Sequence, residues 1–300
     1  MTRSGPLTHP PVSPVSVLRD ARFRSGIHCP HCGASRIRRW GTFKGRQRYR
    51  CTPCRRTFSD LTGTPAAYAK KLALWPCFAE LLADGVSLRR AAGILRIHLS
   101  TAFRWRHAIL GTLRECDEET LAGWIELTFL RFMHSEKGSR RLRRPARRRG
   151  WRPGSGGECR TVHVVVASDR AGHSPAAATG QSSHPPDRAA LERCLKGRIG
   201  LRPTLVAEQG RFGPVSRLAR QWGGTFHDAR WGARRRARTL VHVGTARAYS
   251  ARLRQWLVRF RGVATRYLPN YLHWHRVVDR SGRPATGRET LRWPVGDAFG

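Results

Sequence analysis

Two short cysteine pairs constrain this chain more than any other feature: Cys29-Pro30-His31-Cys32 and Cys51-Thr52-Pro53-Cys54. Each Cys-x-x-Cys is a loop that can turn two thiolates toward one metal. The pairs are separated by 18 residues, a spacing expected of a structural zinc site with four sulfur ligands. Zinc favours a closed tetrahedron of soft ligands. Residues 27–60 are therefore predicted to form a zinc ribbon, with Cys29, Cys32, Cys51 and Cys54 as ligands. With four thiolates at hand, His31 is expected to stay in solvent. Ile37–Phe43 and Arg46–Arg50 read as two short strands around a Lys44-Gly45 turn. Bulky and basic residues alternate there, which sets one face against the knuckles and makes the other cationic.

The formal charge is +38, from 57 basic and 19 acidic residues, and the sequence pI is near 11.8. A GC-rich genome would explain Arg over Lys, but not the shortage of acids. Such a chain repels itself unless a polyanion neutralises it, so nucleic acid is the expected partner. Hydrophobic residues make up 40% of the 300 residues, enough for two or three small domains. No apolar run approaches the ~20 residues of a membrane span. The start of the sequence lacks an apolar signal core. Cys77, Cys116, Cys159 and Cys194 are scattered and read as reduced thiols in a cytoplasmic protein.

Residues 1–26 are rich in Pro, Ser and Arg and read as a mobile arm. A helical region spans 68–115. Leu72, Trp75, Phe78, Ala79 and Leu82 recur at helical spacing. Asp84-Gly85 ends that helix, Ser87 is placed to cap the next, and Ser100–Leu110 forms another. Two short helices at this spacing resemble a helix-turn-helix, whose second helix would lie in the major groove of duplex DNA. Arg89, Arg90, Ser100, Thr101, Arg104 and Arg106 are the candidate DNA contacts. A plain helical hairpin is the alternative.

From Gly123 the pattern turns to strands: 124–130, the very apolar 161–167, 204–207 and 225–227. Helices are read at 187–195, 214–222 and 246–260. This mixture implies an α/β domain over 120–278 with a helix-covered sheet. Two basic loops, 137–152 and 230–238, hold Arg147, Arg148, Arg234 and Arg235, whose charges call for solvent or phosphate. Residues 279–300 read as a disordered tail.

Together these features resemble an insertion-sequence transposase of the zinc-ribbon, DDE-nuclease type. The resemblance rests on the ribbon, the helix pair, Gly123-Trp124-Ile125-Glu126 followed by Thr128-Phe129, and the basic runs at 137–140 and 144–150. It also rests on the long motif from Phe260 to Trp274. It implies a ribonuclease-H-like catalytic domain, binding to transposon ends, multimers that pair two ends, and a place in the bacterial cytoplasm near the nucleoid. In intact members it implies cutting and joining by in-line displacement at phosphorus. Two Mg²⁺ ions then sit about 3.5–4 Å apart, held by carboxylates that converge from separate elements.

The chain departs from that pattern at the acids. Where relatives carry Asp-Glu after Ile-Glu-Leu, Leu127 runs straight into Thr128, so the pair is read as deleted. Removing two residues preserves strand parity, so Glu126 stays on the ligand's face, displaced along the strand. It reads equally as a flanking carboxylate. Glu208 replaces the second Asp with a longer side chain. At the third position Gly244 offers no side chain and Arg247 repels metal. Asp169 reads as a turn cap, and Asp228 matches no motif. Glu126 and Glu208 are thus expected to be vestigial and Mg²⁺ chemistry impaired. The rival reading is a DNA-binding protein that is not an enzyme. An RNA-binding role is disfavoured because the ribbon shows no obvious aromatic stacking platform.

Overall fold

A computed structural model of the chain describes residues 19–20, 22–67, 69–112, 120–142, 160–182, 184–209, 213–232 and 241–281. It divides into two compact units, Met1–Cys116 with Ser281–Gly300, and Asp117–Arg280.

The first unit opens with a three-stranded antiparallel sheet, β1 (Ile37–Phe43), β2 (Arg46–Cys51) and β3 (Thr57–Ser59). The β1–β2 turn needs φ > 0 at both central positions, and Lys44 (φ 50°) and Gly45 (φ 71°) supply it. One face of the sheet carries Tyr49, Cys51 and Phe58 into a small core with Cys29. The Tyr49 and Phe58 rings stack at 5.4 Å. Phe23 joins this core, and the guanidinium of Arg22, a buried residue, donates to the carbonyl of Asp60 at 3.0 Å. Arg22 and Phe23, expected to belong to a mobile arm, are therefore part of the ribbon's packing, while residues 24–26 are exposed.

Three helices follow: α1 (Trp75–Ala83), α2 (Leu88–Ile94) and α3 (Leu99–Thr112). Gly85 (φ 70°) takes the left-handed position after α1, where a side chain would be strained. Ser87 caps α2, accepting from the Arg90 amide at 3.4 Å. At the start of α3 the ring of His98 does the same job, with its Nδ1 3.2 Å from the Ser100 amide. Trp75, Phe78, Leu82, Ala91, Ala92, Ala102, Trp105 and Ile109 are buried. Trp105 sits 5.6 Å from Trp75 and 5.5 Å from Phe78, an aromatic centre for the three helices.

The second unit is a five-stranded mixed sheet. In chain order its strands are β4 (Trp124–Met133), β5 (Thr161–Ser168), β6 (Ala176–Ser182), β7 (Thr204–Ala207) and β8 (Thr225–Asp228). In space the order is β6-β5-β4-β7-β8. β4 pairs antiparallel with β5 and parallel with β7, and β7 pairs parallel with β8. Strand period separates the faces. Ile125, Leu127, Val165, Ala167, Leu205 and Ala207 pack against α4 (Arg188–Leu195) and α5 (Pro214–Gln221) through Leu191, Leu195, Val215 and Leu218. After β8 comes the one-turn α6 (Ala229–Gly232), and α7 (Gly244–Val258) packs on β4 and β5. The last helix among the described residues, α8 (Leu268–Ser281), extends two residues past the expected start of the tail, Asp279.

α7 and α8 meet through rings. Trp256 and Trp274 lie 5.0 Å apart, Phe260 and Tyr271 4.7 Å, and Tyr249 and His275 5.0 Å. Burial among these rings pushes His275 down to about 4. Lys137, expected in a phosphate-binding loop, instead fastens the turn that follows α7. Its ammonium donates to the carbonyls of Gly262 (2.9 Å), Arg261 (3.1 Å) and Phe260 (3.3 Å).

Candidate metal centre and sheet-edge carboxylates

The four cysteines meet. Their sulfur atoms all lie within 4.8 Å of one another, with Cys29–Cys54 and Cys32–Cys51 both at 3.6 Å. A zinc ion with sulfurs at about 2.3 Å has a tetrahedron edge of about 3.8 Å, so the donor set fits zinc. The His31 amide donates to Cys29 Sγ at 3.4 Å while the residue stays exposed, so it shapes the knuckle and adds no ligand. Burial pushes the Cys51 thiol up to about 12. A cation is what would draw off that proton and hold a thiolate there.

The second site lies where β4, β7 and α7 come together. Glu126 sits on β4 opposite Ser168 of β5 and Val206 of β7, on the α7 side of the sheet, and is completely buried. Its Oε2 accepts the Ala246 amide at 3.0 Å, in the first turn of α7. Its Oε1 faces Arg170 at 2.9 Å and His242 Nδ1 at 3.3 Å. Glu208 directly follows β7, two positions from Val206, so parity puts it on the same side as Glu126. Its carboxylate pairs with Arg247, the residue after Ala246. The two carboxylates singled out from the sequence are thus brought to one helix end.

The other acids nearby are also engaged. Asp169 is buried and accepts the amides of Ala171 and His173, both at 3.0 Å, and His173 Nδ1 lies 2.8 Å away. Desolvation would raise its carboxyl, but the bonds from His173 outweigh it and hold the group below its usual value. Asp228 is forked by Arg230 at 2.8–3.1 Å, which likewise lowers its carboxyl.

These residues do not fit a pair of magnesium ions. A hard divalent cation needs free carboxylate oxygens. Glu126 Oε2 accepts a helix amide, Oε1 takes no hydrogen bond but stands 2.9 Å from the Arg170 guanidinium, and Glu208 pairs with Arg247, so an ion would have to displace both arginines. Among the described residues, the four cysteines are the group of three or more His, Cys, Asp or Glu side chains close enough to share a metal.

The candidate DNA contacts divide. Arg89, Arg90, Ser100 and Arg104 are exposed and Thr101 is half-buried. Arg106 is not a surface residue. It is 5% exposed, and its guanidinium donates to the Val86 carbonyl at 3.1 Å, between α1 and α2. It falls one position from Trp105, on the core side of α3, where its stem can pack and its head finds a backbone acceptor. Arg147, Arg148, Arg234 and Arg235 lie outside the described residues. The cation beside Glu126 escaped the sequence reading. Arg170 lies in a turn that looks like any other, and only its nearness to a buried carboxylate gives it away.

Sequence comparison supplies the lineage. The chain is 27% identical over 264 residues to an uncharacterized protein in transposable element ISH50 of Halobacterium salinarum, covering 86% of each chain. It is 35% identical over 79 residues to the insertion element iso-IS1N protein InsA of Shigella dysenteriae, covering 84% of that protein and 26% of this one. The chain belongs to the insertion-element proteins. No family model matches it. Among the described residues of this insertion-element protein, no helix is long and apolar enough to cross a membrane.

Proposed function

We propose that this is a DNA-binding protein of transposase descent that holds transposon ends and whose Mg²⁺-dependent cutting and joining is impaired. The observation that carries the reading is Glu126: the central carboxylate of the sheet is neutralised from within by Arg170 and fastened to the Ala246 amide. The sheet order supports a ribonuclease-H-like domain. Counted from β4, the strands run third-second-first-fourth-fifth, with the second antiparallel and the fourth and fifth parallel to the first. In that fold, metal-binding acids come from the first strand, the end of the fourth and a later helix. Here those places hold Glu126, Glu208 and the first turn of α7 with Gly244 and Arg247.

The DNA-binding half of the proposal rests on the charge of +38, the cationic ribbon and the capped pair α2–α3 with exposed Arg89, Arg90 and Arg104. A helix-turn-helix would use the start of α3, where Ser100 and Arg104 stand out. The test uses purified zinc-loaded chain with the terminal repeats of its own element. A gel shift without nicking in Mg²⁺ is expected. Mg²⁺-dependent cleavage that disappears on Glu208→Ala would overturn the impairment.

A further inference from the structure

The ribbon has a second face that the knuckles do not use. Register shows how it is made. Arg39 pairs with Tyr49, but Thr42 pairs with Gln47, so β1 carries one extra residue across this stretch. Gly41, at φ 69°, is the residue that turns there, and Gln47 Nε2 donates to its carbonyl at 2.9 Å. In an unbroken strand, positions 40 and 43 point to opposite sides. The bulge cancels that. Phe43 pairs with Arg46, and Arg50, two pairs further along the same side of β2, lies over the Trp40 ring at 4.5 Å. Trp40 and Phe43 therefore share the face of Arg38, Arg46, Arg48 and Arg50.

Both rings stand in solvent, Trp40 48% and Phe43 60% exposed, while the opposite face buries Tyr49, Cys51 and Phe58. Lys44 lies 5.4 Å from the Phe43 centroid. From Ile27 to Ser59 the sequence contains no acid. No such pair of rings was obvious in the sequence, because the bulge that brings them to one face is invisible to strict alternation.

We infer that this sheet face binds unpaired DNA, with bases stacked on Trp40 and Phe43 and phosphates held by the surrounding arginines. Every base offers a π-face once it leaves the duplex, whereas paired bases keep theirs inside the stack. Arg50 covers one side of Trp40, and the exposed remainder is open to a base. The two rings are two strand positions apart, roughly 7 Å, a step that suits neighbouring bases of an extended strand. The charge matches: the face is cationic throughout. This rests on the DNA-binding half of the reading above and specifies which form of DNA the ribbon takes.

The test is fluorescence anisotropy with full-length, zinc-loaded protein. The probes are a labelled oligothymidylate of about 20 nucleotides, a duplex of equal length and an oligouridylate. Trp40→Ala and Phe43→Ala should each weaken oligothymidylate binding roughly 5- to 150-fold. Duplex binding should change less than about twofold, and the salt slope should stay unchanged because no phosphate contact is lost. Trp40→Phe with Phe43→Tyr should restore binding to within a few-fold of wild type. Zinc content and circular dichroism report folding, and both sites are exposed enough to leave it intact. Unchanged oligothymidylate affinity in the double alanine variant overturns the inference. So do equal losses on both DNA forms with zinc retained, or tighter binding of oligouridylate. Wild-type protein that binds duplex but not single strand sinks the platform alone. Protein that binds no nucleic acid sinks the DNA reading with it.

Discussion

Replacing Arg170 with alanine should destabilise the α/β unit substantially, and the structure sets the size. Glu126 is 0% exposed at its side chain and Arg170 is 32% exposed, with 2.9 Å between them. Removing one partner of a fully buried ion pair costs about 3–5 kcal/mol. Two features lower that figure here. The guanidinium is partly hydrated, and Glu126 keeps the Ala246 amide at 3.0 Å. A loss of about 2–3 kcal/mol is therefore expected. With a urea dependence of about 2 kcal/mol per molar, the midpoint should fall by about 1–1.5 M. Glu126→Gln keeps an acceptor for the helix amide and leaves Arg170 its contact with His242 Nε2 at 2.7 Å, so it should cost about 1 kcal/mol. The double variant should be more stable than the sum of the singles predicts, by about 1–2 kcal/mol. Because the site's cation is part of the chain, millimolar Mg²⁺ should leave the wild-type midpoint unmoved. Additive singles, a neutral Arg170→Ala, or strong stabilisation by Mg²⁺ would each refute the reasoning.

Other consequences are open to measurement. The purified chain should carry one zinc ion, and chelation or Cys51→Ser should abolish both the metal and the gel shift; atomic emission and titration with probe DNA check this. Arg104→Ala should weaken duplex binding and lower the salt slope by about 1 without moving the unfolding midpoint. Arg106→Leu should do the reverse, costing about 1–3 kcal/mol of stability through the lost bond to Val86. Stability should also fall on acidification. His275 titrates near 6.5 when unfolded but at about 4 when folded, so the unfolded chain takes up a proton first. The contribution is complete above pH 6.5 and is lost as pH falls toward about 4. Urea midpoints for His275→Phe should be flatter across that window. His163, also depressed by burial, adds a slope of the same sign.

Local chemistry was easy to read from the sequence. Cysteine spacing located four sulfurs because a tetrahedral ion demands that spacing, and Ser87 announced a helix start because capping acts within three residues. Helical periodicity found Trp75, Phe78 and Leu82 as core. What stayed hidden depended on distant partners. Glu126 is held by an amide 120 residues away, and no local pattern marks Arg170 as its counter-ion. Arg106 carries the composition of a DNA contact, yet helix phase turns it inward. Gly41 looked like any glycine in a short strand, although it decides which side Phe43 takes.

The contact between Glu126 and the start of α7 has a consequence for how such chains age. A carboxylate that ties a helix to a strand is retained by selection for folding, whether or not it takes part in chemistry. Its persistence in a descendant says that the architecture still needs a fastening at that point. On the function proposed above, an acid held this way is a record of mechanics, and counting acids alone overstates how many chains of this descent would cut DNA.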